Sequence, residues 1–219
     1  MDVYKIFNIY FMMKYLKLFE NFNEEDIHAI CKKYGIINYT INEDGSIDVD
    51  GYIDLSERGL IKLPLKFNKV NGYFDCSWNK LTSLDGCPKE IYGDFYCSNN
   101  KLTSLKGCPE KINGGFYCYY NNLTSFEHCP KEIYSDFDCD NNKITSFDYL
   151  PFSIDGEFDC ESNPIYWIWK LFEDYDRIDF FNDCDPIREP DIIILDRLNF
   201  FLEKIGKSPV SEVEGYKCI

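Results

Sequence analysis

Six carboxylates fall at alternate positions in two stretches 21 residues apart: Asp136, Asp138 and Asp140, then Glu157, Asp159 and Glu161. Alternate residues of a strand share a face, so two neighbouring strands of this kind would gather all six. Such a group has enough oxygens for Ca²⁺, which takes six to eight, and enough charge to steer a cationic partner. Aromatic side chains precede it in the same pattern: Tyr73, Trp78, Tyr96, Tyr117, Tyr119 and Tyr120, with Asp54, Asp75 and Asp94 interspersed. Tyr and Trp anchor protein interfaces because they bury much area at low entropy cost. The expected face is therefore aromatic in its first half and acidic at its end. It is assigned to a protein with a basic surface, with no metal and no other cofactor. The competing reading, that the surface of an acidic protein is acidic by composition alone, must accommodate an uneven distribution: residues 155–191 hold twelve acids against three bases, −9 of the total −15.

Other reactive residue types are arranged for structure. Eleven cysteines would fit a disulfide scaffold, but Cys76, Cys97, Cys118, Cys139 and Cys160 recur every 21 residues, and Cys87, Cys108 and Cys129 recur in a second register. A residue met once per period fills one inward slot of a stacked core, where free cysteine behaves as a small hydrophobe; the CxxC pairs of a zinc site are missing. His28 lies in an expected helix, and His128 beside Cys129 is no catalytic pair, since adjacent residues seldom face each other. Asp44-Gly45 to Asp50-Gly51 lacks the EF-hand register and reads as a hairpin turn. No metalloprotease, phosphate-loop, nucleophile-elbow or dinucleotide fingerprint occurs, so no enzyme is expected.

The elements that would position these residues emerge from the repeat. Phe74, Phe95, Phe116, Phe137 and Phe158 keep the 21-residue step, as do Asn79, Asn100, Asn121, Asn142 and Asn163. Leu81, Leu102, Leu123, Ile144 and Ile165 come next, then Leu84, Leu105, Phe126, Phe147 and Ile168, with Pro88, Pro109, Pro130 and Pro151 marking the return. One period earlier the pattern lands on Ile53 and Leu55, giving about six coils. The unit Phe-x-Cys-x-x-Asn-x-Leu-Thr-Ser-Leu, as in Phe95 to Leu105, resembles the leucine-rich-repeat motif with Phe and Cys replacing two leucines. The resemblance implies an α/β solenoid, a horseshoe with short parallel strands on its concave face. The repeat length and Cys-Pro return resemble the short bacterial kind, whose convex side is extended, so little helix is expected between residues 51 and 163. The asparagines can bond the backbone of neighbouring turns as a ladder.

Stacked repeats leave raw ends that need capping units. Residues 1–50 are read as an N-terminal cap, 51–165 as the repeats and 166–219 as a helical C-terminal cap. Asn23 with Asp26 marks a helix start, Ile27, Ile30, Cys31 and Tyr34 an apolar stripe and Gly35 a stop. A hairpin of Ile37–Ile41 and Ser46–Val49 comes after it, turned at Glu43-Asp44-Gly45. Helices are expected over Ile165–Phe172 and Asp191–Ile205, the latter ended by Gly206 and Pro209.

Beyond the repeats, Lys14-Tyr-Leu-Lys-Leu-Phe, the stretch from Asp26 to Gly51 ending Asp-Gly-Ser-Ile-Asp-Val-Asp-Gly, and the tail from Asn163-Pro-Ile through Leu171-Phe-Glu-Asp-Tyr to Gly215-Tyr resemble a group of leucine-rich-repeat proteins of bacteriophages and environmental viral sequences. That group often begins at the segment of Met13, which marks residues 1–12 as an upstream extension. The resemblance implies fold and viral origin and no activity. With a net charge of −15 and a pI near 4.5, the chain repels phosphate backbones and anionic membranes. The apolar run Ile6–Met13 is too short to span a membrane, and no secretory signal is read. The expectation is a monomeric, cytoplasmic protein of the infected host cell that works by binding, without direct contact to nucleic acid. Two alternatives stand beside it: a nucleic-acid mimic blocking a host nuclease or defence protein, and a virion-associated glycan- or surface-binding protein.

Overall fold

The computed structural model describes residues 23–219. The Ile6–Met13 run, the Lys14–Phe19 block and the boundary at residue 12 lie outside them. The chain enters a helix, α1 (Glu24–Tyr34), as its sequence requires: the Asn23 side chain accepts the backbone N–H of Asp26, and Gly35 closes the helix at φ 70°. Ile27 and Cys31 are the face it buries. A short antiparallel hairpin comes next, β1 (Tyr39–Ile41) and β2 (Ile47–Val49). Its turn is fixed by Asp44, whose Oδ1 accepts both the N–H and the hydroxyl of Ser46; these two bonds hold the Asp44 carboxyl below its ordinary range.

From there the 21-residue period becomes geometry. Each coil gives one short strand to each of two parallel sheets. The first sheet runs β3 (Ile53–Asp54), β5 (Phe74–Asp75), β7 (Phe95–Tyr96), β9 (Phe116–Tyr117), β11 (Phe137–Asp138) and β13 (Phe158–Asp159), six coils in all. Its register pairs Ile53, Phe74, Phe95, Phe116, Phe137 and Phe158 one above the next. Phe95, Phe116 and Phe137 stack face to face with centroids 5.4 and 5.3 Å apart. The cysteine two residues on is fully buried in every coil from Cys76 to Cys160.

The asparagine ladder is built as its chemistry allows. The Asn100 side chain accepts the N–H of Leu81 and donates to the carbonyls of Cys76, one coil back, and Cys97, in its own coil. Asn121, Asn142 and Asn163 repeat the same bonds. Backbone groups that a two-residue strand cannot satisfy are thereby paired inside the stack.

The return side is more regular than an extended connection. β4 (Phe67–Val70), β6 (Glu90–Ile91), β8 (Lys111–Ile112), β10 (Glu132–Ile133) and β12 (Ser153–Ile154) continue from β2 as a second parallel sheet, and no helix lies between residues 51 and 163. Val70, Ile91, Ile112 and Ile133 point inward. Asp48, Lys69, Glu90 and Lys111 pair in register with alternating charge, and Glu132 precedes Ile133, the partner of Ile112; the alternation opposes any slip of one coil on the next. The two sheets meet at a corner where coils nearly touch: a Cβ on Gly93 would lie 2.8 Å from the Gly72 carbonyl carbon.

After the last coil come α2 (Tyr166–Phe172), α3 (Ile178–Cys184) and α4 (Leu195–Lys204), with a three-stranded sheet of β14 (Ile187–Glu189), β15 (Ile192–Ile193) and β16 (Lys217–Cys218). Phe147 of the fifth coil meets Trp169, Phe172 and Phe181 edge-on, and Phe201 of α4 meets Phe172 and Phe181. The helix expected over Asp191–Ile205 is corrected at its start: Ile192 and Ile193 form β15, and the helix begins at Leu195. Three consecutive β-branched residues favour the strand. Among the described residues, no helix is long and apolar enough to cross a membrane.

Candidate functional site

The outer surface of the Phe sheet carries three columns of side chains, set by the alternation of each short strand. The column just before the phenylalanines reads Tyr52, Tyr73, Asp94, Gly115, Asp136, Glu157. The column just after them reads Asp54, Asp75, Tyr96, Tyr117, Asp138, Asp159, and the third reads Ser56, Ser77, Ser98, Tyr119, Asp140, Glu161. Tyr73, Tyr96, Tyr117 and Tyr119 and all six expected carboxylates are thus brought onto one face, aromatic in the middle and acidic at the C-terminal end.

The tyrosines form a continuous row. Tyr52 stacks on Tyr73 at 4.9 Å, Tyr73 meets Tyr96 edge-on at 6.4 Å, and Tyr96 stacks on Tyr117 at 4.8 Å and 8°. Tyr52 extends the expected set by one residue; its place one period before Tyr73 is the signal that marks it. The Tyr96 hydroxyl donates to Asp94, whose other oxygen accepts the N–H of Gly115 in the next coil. The Tyr117 ring lies over Gly115, where a Cβ would come within 2.6 Å of it. Burial, then the bond to Asp94, push the Tyr96 phenol well above its ordinary range, so it remains a neutral donor.

The acids are held by backbone bonds. Asp138 and Asp159 each accept the N–H two residues on, from Asp140 and Glu161, and Asp136 accepts the N–H of Glu157. Among the described residues none of the six has a cation within ion-pair distance; the ion pairs lie elsewhere and include Lys170–Glu173, Arg177–Asp174 and Arg197–Asp185. Part of the acidic excess of 155–191 is therefore neutralised locally by Lys170, Arg177 and Arg197, and the remainder is shared between the sheet and the C-terminal segment. Burial, then a hydrogen bond and the charge of Asp159, raise the Asp140 carboxyl to about 7. Asp138 is raised too, first by burial. Among the described residues no group of three or more His, Cys, Asp or Glu is arranged to hold a metal ion.

Trp78 and Tyr120 belong to a different row. They lie one residue beyond the third column, in a turn where every coil turns left-handed: Glu57, Trp78, Asn99, Tyr120, Asn141 and Ser162 have φ between 51 and 55°. The expectation that they share the strand face is corrected by that one residue. Asparagine tolerates this backbone, whereas a bulky residue there is an outlier. Trp78 and Tyr120 are nevertheless 59% and 56% exposed, and the Tyr120 ring meets Tyr119 edge-on at 6.0 Å. In the coil between them, Ser98 Oγ and Asn99 Nδ2 are enclosed and have no hydrogen-bond partner.

The remaining reactive types stay apart from this face. Burial drives the thiols of Cys97, Cys118 and Cys139 far up, away from thiolate chemistry. His128 is exposed while Cys129 is buried, and His28 Nδ1 lies 2.6 Å from the Tyr39 hydroxyl. No protein-family model, curated protein or solved structure matches the chain.

Proposed function

We infer that the chain is a binding module without catalytic activity: a leucine-rich-repeat solenoid of viral origin, capped at both ends, whose concave face, formed by the Phe sheet, takes a protein partner with a basic patch. One observation carries this reading. Six carboxylates are gathered without an ion pair beside a row of tyrosines, and the Asp140 carboxyl is raised to about 7 by burial and by its like-charged neighbours, so the site is short of the positive charge that a partner would bring. Two parallel sheets with a continuous apolar core hold the face in a fixed register, which suits recognition by a preorganised surface.

The test is capture of partners by the tagged protein from a bacterial host lysate at low and high salt, beside the double variant Asp138→Asn/Asp159→Asn. Asparagine keeps the oxygen that accepts each backbone N–H and removes only the charge, whereas lysine would also break that bond. A basic protein retained at low salt, and lost at high salt and in the variant, supports the reading. Capture that is indifferent to both overturns the acidic face.

A further inference from the structure

Trp78 and Tyr120 break a rule that their neighbours obey. Asn99 and Asn141, at the same turn in the next coils, are residues suited to positive φ, and the backbone bonds are the same: each turn N–H donates to a carbonyl of the following coil. Placing Trp and Tyr there sacrifices stability, and such sacrifices concentrate at functional positions. The two side chains flank one coil. Strand spacing is about 4.8 Å, so they stand about 9.6 Å apart along the stack.

That distance is one turn of a polyproline-II helix, three residues at about 3.1 Å each. Such a helix has no internal hydrogen bonds, so its carbonyls seek outside donors. The protein offers a donor here: the exposed side chain of Trp78 carries an indole N–H, whereas the unpartnered Ser98 hydroxyl and Asn99 amide are enclosed and do not reach a docked chain. One and two coils beyond Tyr120 lie Asp140 and Glu161 in the adjoining column, about three residues further along such a peptide.

We propose that the edge from Trp78 to Tyr120 binds a polyproline-II segment, with Trp78 and Tyr120 as the two walls that its prolines enter and Asp140, Asp159 and Glu161 receiving a Lys or Arg that comes after the prolines. The inference rests on the basic-partner reading for its charged half and on the left-handed aromatic pair for its apolar half. A polyproline helix is already ordered before binding, so docking it costs little entropy, and aromatic grooves are a recurring solution for it.

The experiment measures binding of three synthetic peptides to the full-length protein by fluorescence anisotropy. One has three Pro-Pro-Ala units and then two arginines, one replaces every proline by glycine or serine, and one replaces the arginines by glutamine. The proline–arginine peptide should bind at least about tenfold more tightly than each of the others, and Trp78→Ala or Tyr120→Ala should weaken it by about tenfold. Both variants should keep a single cooperative melt within a few degrees of the wild-type temperature, which separates lost contact from lost fold. Equal binding of the glycine–serine peptide, or unchanged affinity in both variants, overturns the polyproline inference and leaves the basic-partner reading standing. Equal binding of the glutamine peptide does the reverse. No binding by any of the three overturns this inference, while lysate capture judges the other reading separately.

Discussion

The side-chain oxygen of Asn100 accepts the backbone N–H of Leu81, one coil back, at 2.9 Å. Its amide group also donates to the Cys76 and Cys97 carbonyls, so one residue satisfies backbone groups of two coils. Asn100→Ala leaves the Leu81 N–H unpaired, at a cost of roughly 1–3 kcal/mol, while the Cys76 and Cys97 carbonyls keep the bonds they accept from Asn79 and Asn121. The expected loss is about 1–3 kcal/mol, read from the denaturant midpoint, and Asn100→Asp at neutral pH should be no better because its carboxylate cannot donate and would be a buried charge facing two carbonyls.

The turn that holds Trp78 predicts a gain. Trp78→Asn places a residue tolerant of positive φ at φ 55° and removes an exposed indole. The folded state should gain about 1 kcal/mol, and Tyr120→Asn should gain less because it also loses the edge-on contact with Tyr119. Thermal melts of the two variants and their double mutant would check this; a lowered melting temperature in both would mean that the aromatic side chains stabilise the turn and were not retained at a cost.

Asp140 gives the chain a pH dependence of known sign. Its carboxyl titrates near 7 when folded against an ordinary value of 3.8, so the folded state holds a proton that the unfolded state releases. Its contribution is present below about pH 4 and is lost as pH rises through about 7. Asp140→Asn cannot lose a proton, so it should melt higher than wild type at about pH 8, and the difference should fade towards about pH 4. A difference that is constant with pH would show that the repulsion by Asp159 and Asp138 is screened by solvent.

Most of this architecture is legible in the order of residues because the period is strict. A phenylalanine every 21 residues has one place to go, and so does the asparagine, whose donor and acceptor match the gaps left by short strands. The second parallel sheet is not legible as such, since its strands reduce to Glu90–Ile91 or Lys111–Ile112, too short for a periodicity to register. Ile192-Ile193-Ile194 leans towards a strand by its β-branching, yet its apolar spacing also fits the first turn of a helix, and its pairing with Ile187–Glu189 and Lys217–Cys218 decides. The carboxylates fall on the expected face because strand alternation carries them there. Trp78 and Tyr120 do not, because each lies past the end of its two-residue strand, in a turn that re-aims the side chain. Ser98 and Asn99 could not have been singled out at all, since missing a hydrogen-bond partner is a property of the packed chain.

Gly115 sets the join between the aromatic and acidic halves of the face. The same position is Asp94 in the coil before and Asp136 in the coil after, and both bond the backbone of the following coil. With no side chain of its own, Gly115 leaves room for the Tyr117 ring, which then lies flat against Tyr96. Gly115→Asp should therefore restore a carboxylate to the column and push the Tyr117 ring out of its stack. The backbone is in a region open to any residue, so the fold should persist, with the far-ultraviolet circular dichroism unchanged and the near-ultraviolet tyrosine band reduced. Binding to the aromatic half should weaken while salt dependence rises, because the variant exchanges ring area for charge. An unchanged near-ultraviolet spectrum would mean that Tyr117 stacks independently of the glycine.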